Sequence, residues 1–103
     1  MVPKLPPLKG LRLFSIVARC GSFKLAAQEL NLTPSAVSHG IKSLEKWLNV
    51  ELFDRGRGLV LTPAARHYLP YVNVAMAKIT QGTGEILTNN RDTHDTPALP
   101  TPL

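Results

Sequence analysis

At 103 residues the chain has room for one domain with a modest core, but not for two. Hydrophobic residues make up 44% and aromatics only 6%, which suits a small helical core better than a sandwich. A formal net charge of +5 points to an acidic partner, either nucleic acid or an anionic surface.

Residues 1–7, "MVPKLPP", read as an extended lead-in. Leu11, Phe14, Val17 and Ala18 then recur at helical spacing and predict a first helix over residues 8–19. The short run "LFSIVA" is closed by Arg19 and lacks a cleavage site, so it is not read as a signal peptide. No stretch approaches the ~20 apolar residues of a membrane span, and the expected location is cytoplasmic. The single cysteine, Cys20, excludes an intrachain disulfide and is expected to be buried filler.

Gly21 stops the first helix and Ser22 can cap the second, where Phe23, Ala26, Ala27 and Leu30 share one face. "NLT" forms a tight turn, with Thr33 as N-cap and Pro34 at the first helical position, where proline loses no needed hydrogen bond. The third helix carries Val37, Ile41, Leu44 and Leu48 within roughly 60° of one another, and Asn49 is a left-handed C-cap candidate. Its opposite side gathers Ser35, Ser38, His39, Lys42 and Lys46, with the only acid, Glu45, at the margin. Donors, short side chains and no clustered negative charge are what phosphates and base edges require.

Leu52-Phe53 and Leu59-Val60-Leu61 are β-type runs around "DRGRG", a hairpin tip that presents Arg55 and Arg57. A basic β-wing beside a helix-turn-helix can place arginine in the adjacent minor groove. Residues 1–81 hold eleven Lys/Arg against four Asp/Glu, so the positive charge belongs to this part.

Thr62-Pro63 repeats the cap-plus-proline signal and opens a long fourth helix. Its stripe of Ala65, Leu69, Val72, Met76, Ile79, Thr83 and Ile86 alternates spacings of four and three, the pattern of a two-helix seam. Leu69, Val72, Met76 and Ile79 are the expected dimerisation residues, so a charge at Val72 is expected to give a folded monomer. Pro70, Gly82 and Gly84 weaken the helix, and fraying is expected beyond Ile79. Residues 88–103 read as a disordered tail.

His39, His67 and His94 are scattered, and neither a phosphate-binding glycine loop nor a nucleophile motif occurs. No catalytic residue, metal site or cofactor is expected, and the chain is not read as an enzyme.

The run "LKGLRLFSIVARCGSFKLAAQELNLTPSAVSHGIKSLEKWLNVELFDRGRGLVLTPAA" resembles the N-terminal DNA-binding domain of LysR-type transcriptional regulators. "LPPL" and "AVSH" are similar to the branch typified by the glycine-cleavage activator. The resemblance implies a mainly α fold: a winged helix-turn-helix of three helices and a β-hairpin wing, then a linker and dimerisation helix. Residues 6–62 would form the DNA-binding domain, with its helix-turn-helix at about 23–42, and residues 63–87 the linker helix. It also implies a homodimer on double-stranded DNA. By position, Thr33, Pro34, Ser35, Ser38 and His39 would lie at recognition-helix contacts, Arg57 in the minor groove, and Lys42 and Arg55 at phosphates. Gly40 stands where the family usually has a larger residue, which would loosen the recognition helix or remove a contact. The family's effector-binding domain does not occur in this sequence, and no small-molecule effector site is expected. The rival reading is an interaction module that pairs with full-length relatives through the fourth helix.

Overall fold

Helix boundaries follow from local chemistry that can be followed cap by cap. The computed structural model describes residues 4–56 and 58–92. Helix α1 (Leu8–Cys20) ends at Gly21, whose φ of 70° is the left-handed value that glycine adopts without a Cβ penalty. Helix α2 (Phe23–Leu30) begins at Ser22, whose hydroxyl accepts from the Leu25 N–H at 3.1 Å. It ends at Asn31, also left-handed. Helix α3 (Pro34–Leu48) starts at Thr33, whose Oγ1 accepts from the Ala36 N–H at 3.1 Å, and ends at left-handed Asn49. Each cap satisfies a backbone group that the helix itself leaves orphaned.

Strands β1 (Phe53–Asp54) and β2 (Val60–Leu61) pair antiparallel, Phe53 opposite Leu61 and Asp54 opposite Val60. β1 lies one residue later than the run Leu52-Phe53, and β2 is one residue shorter than Leu59-Val60-Leu61. Helix α4 (Pro63–Asp92) follows at once. Its root is tied down by Thr62, whose hydroxyl donates to the Glu51 carbonyl at 2.7 Å and accepts from the Ala65 N–H at 3.2 Å.

Two compact units divide the chain, Met1–Asn73 and Val74–Leu103. The first holds a core drawn from the helices and β1: Leu11, Leu13, Phe14 and Val17 from α1, Ala26 and Ala27 from α2, Val37, Ile41 and Leu44 from α3. Leu52 and Phe53 add to it, as do Ala65 and Val72 from α4. Phe14 lies at the centre, edge-on to Phe53 at 5.8 Å and stacked on Tyr68 at 6.1 Å. Full burial of each large side chain contributes about 1.5–3 kcal/mol. Burial also raises the Tyr68 phenol above its ordinary pKa. Ser15 donates to the Asn73 side-chain oxygen at 2.8 Å, pinning α1 to the last residue of this unit.

The second unit is helical through Asp92, within the span expected to be tail; residues 93–103 lie outside the described residues. Gly82 and Gly84 do not end the helix. Gln81 donates to Glu85 at 3.2 Å, a local pair that offsets part of their low propensity, and the Thr83 hydroxyl donates to the Ile79 carbonyl at 2.8 Å.

Three further expectations need correction. Val72 is only 3% exposed within its own chain, so it is a core residue rather than a free seam residue. Cys20 is half-buried, its thiol 3.8 Å from Glu29, which also pairs with Arg19 and raises that guanidinium's pKa through the hydrogen bond. Gly40 does not loosen α3: a Cβ there would lie 2.3 Å from Leu13 Cδ1, so the missing side chain allows α1 and α3 to pack closely.

Candidate nucleic-acid interface

The polar face expected on α3 is built outward from a closed core. Val37, Ile41 and Leu44 are 0–1% exposed, which fixes the rotation of α3 about its own axis. That rotation leaves Ser35, His39, Lys42 and Lys46 exposed and Ser38 half-buried. Thr33 and Pro34 are exposed at the helix start, but Thr33 spends its hydroxyl on the N-cap. Its expected place among the DNA contacts therefore rests on shaping the helix N-terminus. Pro34 has no N–H and the Ala36 N–H is taken by Thr33, which leaves the Ser35 N–H to meet an anion such as phosphate.

Glu45 is the residue that sequence reasoning misses. It is 9% exposed rather than lying on the polar margin. Its Oε2 accepts from the Leu52 N–H at 2.7 Å and the Phe53 N–H at 3.3 Å, and its Oε1 lies 3.4 Å from the Arg55 guanidinium. With both oxygens engaged and the residue buried, the carboxylate does not confront the exposed face. The exposed face of α3 is free of acid because the helix's one acid is engaged internally. Its position at the boundary of the apolar arc, ten residues before Arg55, is the only sequence signal for this role.

Arg55 is correspondingly not a free cation. Its side chain is 34% exposed, paired with Glu45, and its Cζ lies 5.5 Å from the centre of the Phe23 ring. Asp54 accepts from the Gly56 N–H at 3.0 Å and shapes the turn beyond it, and Gly58 takes a φ of 84°. Arg57, the expected minor-groove arginine, lies outside the described residues.

The dimerisation candidates divide between the two units. Leu69 is half-buried and Val72 buried in the first. In the second, Met76 is half-buried and Ile79 is 48% exposed. Among the described residues, no group of three or more His, Cys, Asp or Glu comes together as a metal site. No helix among them is long and apolar enough to cross a membrane.

Comparison with known proteins bears directly on this geometry. The family profile of bacterial regulatory helix-turn-helix proteins, lysR family, matches residues 8–66. The glycine cleavage system transcriptional activator homolog of Haemophilus influenzae is 41% identical over 95 residues, covering 91% of this chain and 32% of its own. The AmpR transcriptional activator of Citrobacter freundii is 53% identical over 68 residues, covering 65% of this chain and 23% of its own. The chain thus spans about a third or less of the length of these relatives. Among solved structures, the complex of the BenM DBD with catB site 1 DNA superposes with a TM-score of 0.74 at 26% identity. That match covers 90% of this chain and 99% of the other. Corynebacterium glutamicum OxyR superposes at 0.75 and 28% identity, over 82% of this chain and 27% of its own. The three helices and short hairpin are therefore a winged helix-turn-helix, and the chain belongs to the lysR family of bacterial helix-turn-helix transcriptional regulators.

Proposed function

We propose that this chain binds double-stranded DNA sequence-specifically as a homodimer, with α3 in the major groove and the wing at the adjacent minor groove. The observation that carries the reading is the exposed, acid-free face of α3, held in rotation by a fully buried apolar face. Ser35, Ser38 and His39 are the base-edge candidates, Lys42 and Lys46 the phosphate candidates, and Arg57 the minor-groove candidate. The first turn of α3, opened by Thr33 and Pro34, adds the Ser35 backbone N–H for a phosphate. The kinship with proteins named transcriptional activators supports a role in transcription, and the likeness to a DNA complex favours this reading over an interaction-only module.

Pairing is assigned to the second half of α4. Met76, Ile79, Thr83 and Ile86 lie within roughly 80° of arc there, and Ile79 and Ile86 are 48% and 68% exposed in the single chain. A winged helix-turn-helix that reads two half-sites needs such a coupling between copies.

The test is a binding titration of the purified chain on a duplex selected from a random pool, repeated across a range of salt. Affinity should fall steeply with salt, and Lys42→Ala should reduce the log–log slope by about 0.9 as one phosphate contact is lost. His39→Ala should relax base preference, with a loss of about 1–3 kcal/mol on the selected duplex and little on random DNA. Salt-independent affinity would defeat the groove reading.

A further inference from the structure

Arg55 carries two features that a phosphate-binding arginine does not need. It faces inward to a carboxylate that is itself buried, and it lies over an aromatic ring from a different helix. The three partners come from three elements: Phe23 opens α2, Glu45 lies in the last turns of α3, and Arg55 follows β1. Glu45 simultaneously holds the backbone of the strand's approach through the Leu52 and Phe53 N–H groups. Phe23 in turn lies edge-on to Phe53 at 6.2 Å, so the ring beneath the guanidinium is braced by the strand it serves. One cluster therefore joins both helices of the helix-turn-helix to the base of the wing.

We propose that Arg55, clamped between Glu45 and Phe23, is a positioning residue that sets the wing's placement against the recognition helix, rather than a phosphate ligand. The inference rests on the DNA-binding reading and deepens it, because base preference then depends on a residue that touches no base. Binding in two grooves at once requires a fixed distance between the groups that enter them. The hairpin strands are two residues each, too short to hold the wing rigidly by their own ladder. A planar guanidinium suits this role because it can lie on a ring and donate to a carboxylate in one geometry. A lysine ammonium, by contrast, is a hydrated point charge on a flexible stem.

The two roles predict opposite behaviour. A phosphate ligand is largely replaceable by lysine, and its removal reduces the salt slope by about 0.9. A clamp is not replaceable by lysine, and its removal leaves the slope unchanged, because a cation already paired with Glu45 releases no counterion.

The experiment uses the full 103-residue chain, a duplex enriched from a randomised pool and a random duplex of equal length. Arg55→Lys, Arg55→Ala, Phe23→Leu and the Arg55→Lys/Phe23→Leu double variant are titrated at several salt concentrations. Arg55→Lys and Phe23→Leu should each lower the ratio of selected to random affinity about tenfold, and the double variant no further, as expected for one shared contact. Arg55→Ala should retain the slope of the unmodified chain. Full rescue by lysine together with a shallower slope in the alanine variant would overturn the proposal. So would equal losses on both duplexes, or loss of cooperative melting, which mark a general defect of the fold. If the unmodified chain itself failed to prefer the enriched duplex, the DNA-binding reading would fall, and the clamp with it.

Discussion

The fourth helix is one element with two fates. Over residues 63–73 its apolar stripe meets a core: Ala65 and Val72 are 0% and 3% exposed, and Tyr68 stacks on Phe14. Over residues 74–92 the same period continues, yet on that stripe Met76 is half-buried and Ile79 and Ile86 are 48% and 68% exposed. The pattern of three and four is identical in the two stretches, so periodicity reports only that a face is apolar. What covers that face is decided by which other elements of the chain are near it. In the first stretch the cover is intramolecular, and in the second the described residues of the chain supply none for Ile79 and Ile86, the face on which the proposed pairing rests.

The sharpest way to break this comparison is to place the same charge on each stretch. Val72→Asp would bury an unpaired carboxylate in the first unit's core and should cost about 3 kcal/mol or more. Small domains are stable by only about 5–15 kcal/mol, so the melting temperature should fall steeply and DNA binding with it. This reverses the expectation from the stripe alone, in which Val72→Asp leaves a folded monomer. Ile79→Asp, by contrast, should change the melt of the first unit by no more than about 0.5 kcal/mol, because the site is exposed in the single chain. Its effect should appear in sedimentation, as a shift towards monomer. Equal melts for the two variants would show that residues 63–73 are not integral to the core.

A smaller effect probes the core from the other side. Gly40→Ala gains helix propensity of about 1 kcal/mol, but the new methyl meets Leu13 at 2.3 Å. Leu13 is 5% exposed, so the methyl has to push a packed side chain out of its rotamer, and overpacking of about 1–3 kcal/mol should win. Thermal melts should show a modest net destabilisation. A more stable variant would mean that α1 and α3 can separate without penalty.

The features legible in the sequence were those whose causes are local. Thr33-Pro34 opens a helix because a hydroxyl and a fixed φ act within one turn, and Asn49 closes it through its own left-handed backbone. The apolar arc of Val37, Ile41 and Leu44 likewise dictates which side of α3 is left outside. What was not legible depends on contacts between elements. Glu45 finds partners seven, eight and ten residues away, two of them backbone N–H groups that any sequence would supply. Arg55 looks like a free cation until Phe23 and Glu45 are brought around it. Gly40 looks like a weak point in a helix until Leu13 is seen against it. Val72 and Ile79 are indistinguishable by spacing and differ only in their surroundings.

The smallest expected effect concerns the glycines of the second stretch. Gly82 and Gly84 sit inside a helix, neither has positive φ, and a Cβ at either would meet no atom within 4 Å. Nothing in the chain's own packing therefore calls for glycine at these positions, and alanine should favour the helix by about 1 kcal/mol at each. Because residues 74–92 belong to a separate compact unit, that gain should remain local. Far-ultraviolet circular dichroism of Gly82→Ala/Gly84→Ala should show more helix, with the cooperative melt of the first unit unmoved. Pairing should tighten modestly if the second stretch is the seam, since less order has to be imposed on association. A rise in the main melting transition comparable to the added propensity would instead show that the two stretches of α4 fold as one cooperative element.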